Sequence, residues 1–219
     1  MFQNRSHAGQ LLGEKLEHFK GEDVIVLAIP RGGVVVGAEI AKVLDCPLDI
    51  IVTKKIGAPG NPELAVGAMG SGGEVIWDEN LLSRLSLSKS DLTSQIKNAK
   101  LKMQSYVGIK AEHARLKHRH SSKFKVKEKN LKNKTVILTD DGIATGATVE
   151  VAIKVIKAQK PKKLIVAMPV APPETVKKLK PLVDEFICLA TPAIFWAVGQ
   201  FYQEFEQVED EEVIKILRN

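Results

Sequence analysis

Two adjacent carboxylates, Asp140 and Asp141, follow the apolar run Val136-Ile137-Leu138-Thr139, and Thr145-Gly146-Ala147-Thr148 comes shortly after them. Side by side, two acids repel unless a cation or several hydroxyl donors absorb their charge. The Thr-Gly-Ala-Thr stretch falls where a helix should begin. There glycine lets backbone N–H groups turn toward one point, the helix dipole adds positive potential and the threonines supply hydroxyls, which together make a phosphate cradle. Paired acids beside such a cradle suit a sugar phosphate, with its hydroxyls on Asp140 and Asp141 and its phosphate on the loop. No lysine precedes Thr148, so this is not a Walker loop. The alternative is local capping of the turn and helix, but capping needs one aspartate and not two. A second loop, Pro30-Arg31-Gly32-Gly33, sets a guanidinium fork beside two glycines that allow close backbone approach, a pattern suited to a multiply charged anion. Read by itself, it could also be a tight turn carrying an incidental arginine.

These loops need a scaffold. Val24 to Ile29, Leu48 to Val52, Thr135 to Thr139, Leu164 to Met168 and Phe186 to Leu189 are short apolar runs that read as buried strands. Helical spacing returns over Val34 to Leu44, Ala147 to Ala158, Pro173 to Leu179 and Asp210 to Leu217. Strands alternating with helices predict an α/β fold with a doubly wound, mostly parallel sheet, whose ligands sit beyond the carboxyl ends of its strands. Lys54 to Pro62, rich in glycine and proline, reads as an irregular loop. Glu74 to Trp77 reads as a short strand, and Asp78 or Ser83 as the cap of one long polar helix running toward Tyr106. The expected organisation is one domain over 1–219, with a helical and basic insertion at 79–134 and a C-terminal segment at 190–219.

The composition excludes several classes. The 219 residues are 44% hydrophobic and carry a net charge of +6, so global disorder is ruled out. Cys46 and Cys188 form no metal-ligand or disulfide pattern, which fits a reducing cytoplasm. Met1 to Gly9 has no secretory core, and the uncharged stretch Phe186 to Gln203 is broken by Pro192 and by polar residues, so no membrane span is expected. Charge is uneven. Lys97 to Lys134 holds 13 Lys or Arg against only Glu112 and Glu128. Such a block is a solvated face or a surface for nucleic acid.

The run Val136 to Thr148 resembles the phosphoribosyl pyrophosphate (PRPP) motif of the type I phosphoribosyltransferases, and Ala28 to Val34 is similar to that family's pyrophosphate loop. Including Lys54 to Leu64 and Pro169 to Glu174, the whole chain resembles a bacterial subgroup whose acceptor the resemblance does not name. The resemblance implies that Asp140 and Asp141 hold the ribose hydroxyls, with Asp140 reaching Mg²⁺ through water. It implies that Ala144, Thr145, Gly146, Ala147 and Thr148 bind the 5-phosphate, and that Arg31, Gly32 and Gly33 grip the pyrophosphate. A cis peptide is then expected at Pro30–Arg31, and a mobile loop at Lys54 to Pro62 that brings Lys54 or Lys55 to the pyrophosphate on closing, with the basic segment Lys97 to Lys134 as the alternative lid. The acceptor would lie under a C-terminal hood, with Phe195 or Trp196 stacking on a planar base and Val198 presenting backbone groups to its edge. Those aromatics could equally fill a core or a homodimer contact. Ala144 replaces the aspartate that serves as a base in the hypoxanthine–guanine branch, which argues against an oxopurine handled in that way.

The resulting expectation is an Mg²⁺-dependent transferase moving phosphoribose from PRPP to a nitrogenous base or related small acceptor. The alternative is a PRPP- or nucleotide-sensing regulator of the same fold that binds RNA through the basic segment. A phosphatase using the Asp pair as metal ligands lacks the further His and Asp residues of a two-metal site.

Overall fold

Val24–Ala28 (β1) and Thr135–Thr139 (β6) are buried at every residue, as central strands covered on both faces must be. They pair in parallel from Val24 opposite Thr135 to Ala28 opposite Thr139. Leu48–Ile50 (β2) flanks β1, while Lys163–Val170 (β7) and Glu185–Ala190 (β8) extend the sheet beyond β6. The order is β2-β1-β6-β7-β8, parallel throughout. The computed structural model describes residues 1–70, 73, 75–101, 103 and 130–218.

From β1 the chain passes outward to β2, and from β6 it passes outward the other way to β7. Strand order therefore reverses between β1 and β6, and a crevice opens there at the carboxyl ends. The expected α/β architecture is present. On one face Arg5–Leu16 (α1) and Gly32–Leu44 (α2) bury Leu12, Leu16, Val36 and Ile40 against Val24, Val26, Ile137 and Ile165. On the other, Ala147–Ala158 (α5) and Pro173–Leu179 (α6) bury Val149, Ile153, Ile156 and Leu179 against Ile25, Leu27, Val136 and Leu138.

Two expectations are corrected. Lys54 to Pro62 is not irregular: Thr53–Ala58 (β3) and Asn61–Gly70 (β4) form an antiparallel hairpin, extended by Val75–Trp77 (β5) into a second sheet. Pro59-Gly60 makes its tight turn, and Pro62 lies where the register shifts between Gly57 and Ala58. Both prolines thus stand where no ladder N–H is required. The single long helix after Asp78 is also replaced. Asp78 caps Glu79–Arg84 (α3), accepting from the Leu81 N–H at 3.0 Å, but Ser86 adopts a φ of 51° and ends it. A 3-10 turn, Lys89–Leu92, then leads to a second helix, 93–101 (α4). Most of the basic segment lies outside the described residues, and with it the histidines and the RNA surface expected there.

The termini are knitted together. The Phe2 N–H donates to the Phe201 carbonyl at 2.8 Å, while the Gln203 and Glu204 N–H groups donate to Phe2 and Gln3 at 2.9 Å each. Asp210–Arg218 (α7) closes the chain and buries Val213 and Leu217 beside Val34 of α2 and Ile56 and Val66 of the hairpin. Among the described residues no helix is long and apolar enough to cross a membrane.

Candidate active site

The end of the β1–β6 ladder places the two loops of interest side by side, because the Ile29 N–H, directly after β1, donates to the carbonyl of Thr139, the last residue of β6, at 2.9 Å. The Pro30–Arg31 peptide is cis, and Gly32 and Gly33 open α2. Here the absence of side chains is a packing requirement. A Cβ at Gly33 would lie 2.8 Å from the Asp140 Cα, and one at Gly32 would lie 1.9 Å from Asp141 Oδ2. Arg31, Gly32, Asp140 and Asp141 share a cavity of about 450 Å³.

The two acids are not equivalent. Asp141 Oδ2 accepts from Arg5 Nε at 2.8 Å, and the Asp141 carbonyl accepts from the Tyr202 hydroxyl at 2.5 Å. Asp140 Oδ1 accepts from the Asp141 N–H at 2.8 Å. Burial first, and then the neighbouring Asp141 charge, push the Asp140 carboxyl well above the usual carboxylate range, while Arg5 opposes the shift. Ionising Asp140 therefore costs folding free energy once pH rises above the ordinary value of 3.8, and the cost stops growing above its raised value. In chelator-treated protein, Asp140→Asn is expected to melt at higher temperature than wild type near neutral pH. That gap should close on acidification toward the ordinary carboxylate value; a gap widening in acid would contradict the assignment.

Arg5 is the residue sequence reasoning missed. Asn4 caps α1 by accepting from the His7 N–H at 3.0 Å, and that pattern could have announced the helix. Nothing local announces that its first side chain reaches an acid 136 positions away. Arg5 Nη1 also donates to the Glu206 carbonyl at 2.7 Å, and its Cζ sits 3.8 Å from the Phe205 ring centroid.

The loop before α5 points outward from firm anchors. The Ile143 N–H donates to the Val170 carbonyl at 2.9 Å, and Thr175 Oγ1 donates to the Ala144 carbonyl at 2.7 Å. Ala144, Thr145, Ala147 and Thr148 are exposed, and Gly146 turns the chain at a φ of 76° directly before the helix. Ala147 and Thr148 border a second cavity of about 640 Å³, shared with Lys54 and Lys55 from β3 and Gln95 and Asn98 from α4. The two lysines thus stand on the Thr148 side and not in the cavity of Arg31.

The hood residues lie apart from both cavities. Phe195 packs on Phe201 with ring centroids 5.0 Å apart, Val198 fills the space over Gly142, and Trp196 is 86% exposed. The C-terminal residues that do line the first cavity are Phe205, Glu206, Gln207 and Val208. Asp210 Oδ1 approaches Arg31 Nη1 at 3.5 Å, an ionic contact without a hydrogen bond.

A family model described as the phosphoribosyl transferase domain matches residues 3–205. Two Mycobacterium tuberculosis proteins, Putative phosphoribosyl transferase Rv0571c of strain H37Rv and MT0597 of strain CDC 1551, are each 35% identical over 219 residues. Each match covers 99% of the chain but 46% of the mycobacterial protein, so the chain spans about half the length of the curated relatives it matches. The crystal structure of TT1426 from Thermus thermophilus superposes with a TM-score of 0.81 at 39% identity, covering 100% of the chain and 98% of TT1426.

Proposed function

The chain belongs to the phosphoribosyl transferase domain family, and on that premise we propose that it transfers phosphoribose from PRPP to a nitrogenous base or a related small acceptor. The observation that carries this reading is the meeting of two anion-suited loops at the β1–β6 switch point, with Asp140, Asp141, Arg31 and Gly32 around one cavity. The N–H groups and hydroxyls of 144–148 are the proposed 5-phosphate cradle, exposed at the start of α5. The ribose diol is assigned to the acids and the pyrophosphate to Arg31 with the amides of Gly32 and Gly33.

In the reaction a nitrogen lone pair forms the bond to the anomeric carbon as that carbon's bond to pyrophosphate oxygen breaks. The electron pair of the broken bond leaves on pyrophosphate, and the acceptor loses the proton of the attacking nitrogen. Positive charge gathers on the sugar, so a carboxylate beneath it stabilises the transition state more than the ground state. The donor set fits Mg²⁺: Asp140 is a crowded acid whose hydrogen bonding among the described residues comes from one backbone N–H, and Mg²⁺ uses one or two carboxylates plus substrate phosphates. When bound, Mg²⁺ would supply charge neutralisation for the pyrophosphate. Asp140 would hold it through water. The hairpin carrying Lys54 and Lys55 is the proposed cover that excludes water, since hydrolysis of the donor competes with transfer.

The test is PRPP-dependent pyrophosphate release with Mg²⁺ across purine, pyrimidine, pyridine and amine acceptors. Release that requires one acceptor class, with a ribosylated product seen by mass spectrometry, is the expected outcome. No PRPP affinity by calorimetry would remove the proposal.

A further inference from the structure

We propose that Arg5 is a pyrophosphate-binding residue, an anchored guanidinium that completes the anion cavity from the N-terminal helix; this rests on reading that cavity as the pyrophosphate site. The need for it is electrostatic. Two carboxylates border the cavity, and a multiply charged anion beside them is repelled unless their charge is offset. Arg31 alone does not offset both acids. Its side chain is 36% exposed, and among the described residues its ionic contact is the 3.5 Å approach to Asp210.

Arg5 is placed differently. Its side chain is 11% exposed, and it lines the same cavity. Nε is held by Asp141, Nη1 by the Glu206 carbonyl, and the guanidinium plane lies over the Phe205 ring. Nη2 makes no hydrogen bond among the described residues, so with Nε and Nη1 anchored its N–H donors remain for an anion. A guanidinium already ordered by three contacts loses little freedom when it binds phosphate oxygens. Arg5 thus does two things at once: it neutralises Asp141 and presents a fixed cation to the leaving group.

The experiment is calorimetry of the full chain with Mg-pyrophosphate and, separately, ribose 5-phosphate, for wild type, Arg5→Gln, Arg5→Lys and Phe205→Leu, each with a melting curve. Arg5→Gln is expected to weaken pyrophosphate binding roughly ten- to a hundredfold, as charge-assisted hydrogen bonds are lost. Arg5→Lys should recover part of that affinity. Phe205→Leu keeps the charge and loosens the guanidinium, so it should cost roughly two- to fivefold. Ribose 5-phosphate affinity should fall much less, by about threefold at most, because its phosphate is assigned to the distant 144–148 loop and only its diol, on the two acids, lies near Arg5. Unchanged pyrophosphate affinity in Arg5→Gln, or parallel loss of both ligands with a falling melting temperature, would make Arg5 a strut and overturn the proposal. Wild type that binds ribose 5-phosphate but not pyrophosphate would overturn the Arg5 assignment while leaving the phosphate loop standing; binding of neither would overturn both.

Discussion

Replacing Gly32 with alanine is expected to cost about 2–4 kcal/mol of stability and to weaken pyrophosphate binding by at least about tenfold, because one added carbon cannot be placed without breaking the acid–arginine pair. The Cβ would lie 1.9 Å from Asp141 Oδ2 and 2.8 Å from Arg5 Nε. Neither atom has slack. Asp141 is fixed at its carbonyl by Tyr202 and at its carboxylate by Arg5, and Arg5 is fixed by Phe205 and the Glu206 carbonyl. Moving the carboxylate strands a guanidinium that is 11% exposed, which is costly, although this exposure keeps the penalty below that of a fully buried pair. For a chain of this size the melting temperature should fall by about 5–15 °C. Thermal melts and calorimetry with Mg-pyrophosphate check the two effects together. Wild-type values in both would mean that the pair rearranges freely and that Gly32 carries no constraint.

The second large effect separates the two aspartates. Asp140→Asn is expected to lower turnover by about two to three orders of magnitude, the scale of losing one preorganised charge at a transition state, with no loss of stability near neutral pH. Asp141→Asn is expected to cost about 2–3 kcal/mol of stability, because it removes the partner of Arg5, whose guanidinium is nearly buried. Its effect on turnover would be the smaller one, arising from a weakened hold on the ribose diol and from the displaced arginine. The asymmetry follows from geometry: Asp141 commits Oδ2 to Arg5, while among the described residues the Asp140 carboxylate accepts from one backbone N–H. Steady-state kinetics with PRPP and melts of both variants decide it. Equal losses of turnover with unchanged melting in both variants would make the acids interchangeable and defeat this division of roles.

How much of this was readable beforehand depended on the range of the interaction. Val24–Ala28 and Thr135–Thr139 declare themselves because a strand covered on both faces must be apolar without interruption. Pro173 and Ala147 mark the first residues of their helices because the fixed proline φ and the preceding glycine turn are local devices. The hairpin at Thr53–Gly70 was illegible since Pro59 and Pro62 look like strand breakers until a turn and a register shift are known to receive them. Likewise, aromatic richness drew attention to Phe195 and Trp196, but composition does not say which way a ring faces. The cavity is instead lined by Phe205, a few residues farther along.

The amino-acid sequence by itself determined the alternation of strands and helices, the two glycine-bearing anion loops and the adjacent acids, because each of these is a matter of residue type at short spacing. The tertiary structure alone decided that Arg5 and Tyr202 converge on Asp141 from opposite ends of the chain, with Phe205 against the Arg5 guanidinium. Spacing along a chain carries no information about an ion pair between residues 136 positions apart; only the sheet order and the pairing of the two termini bring them within reach.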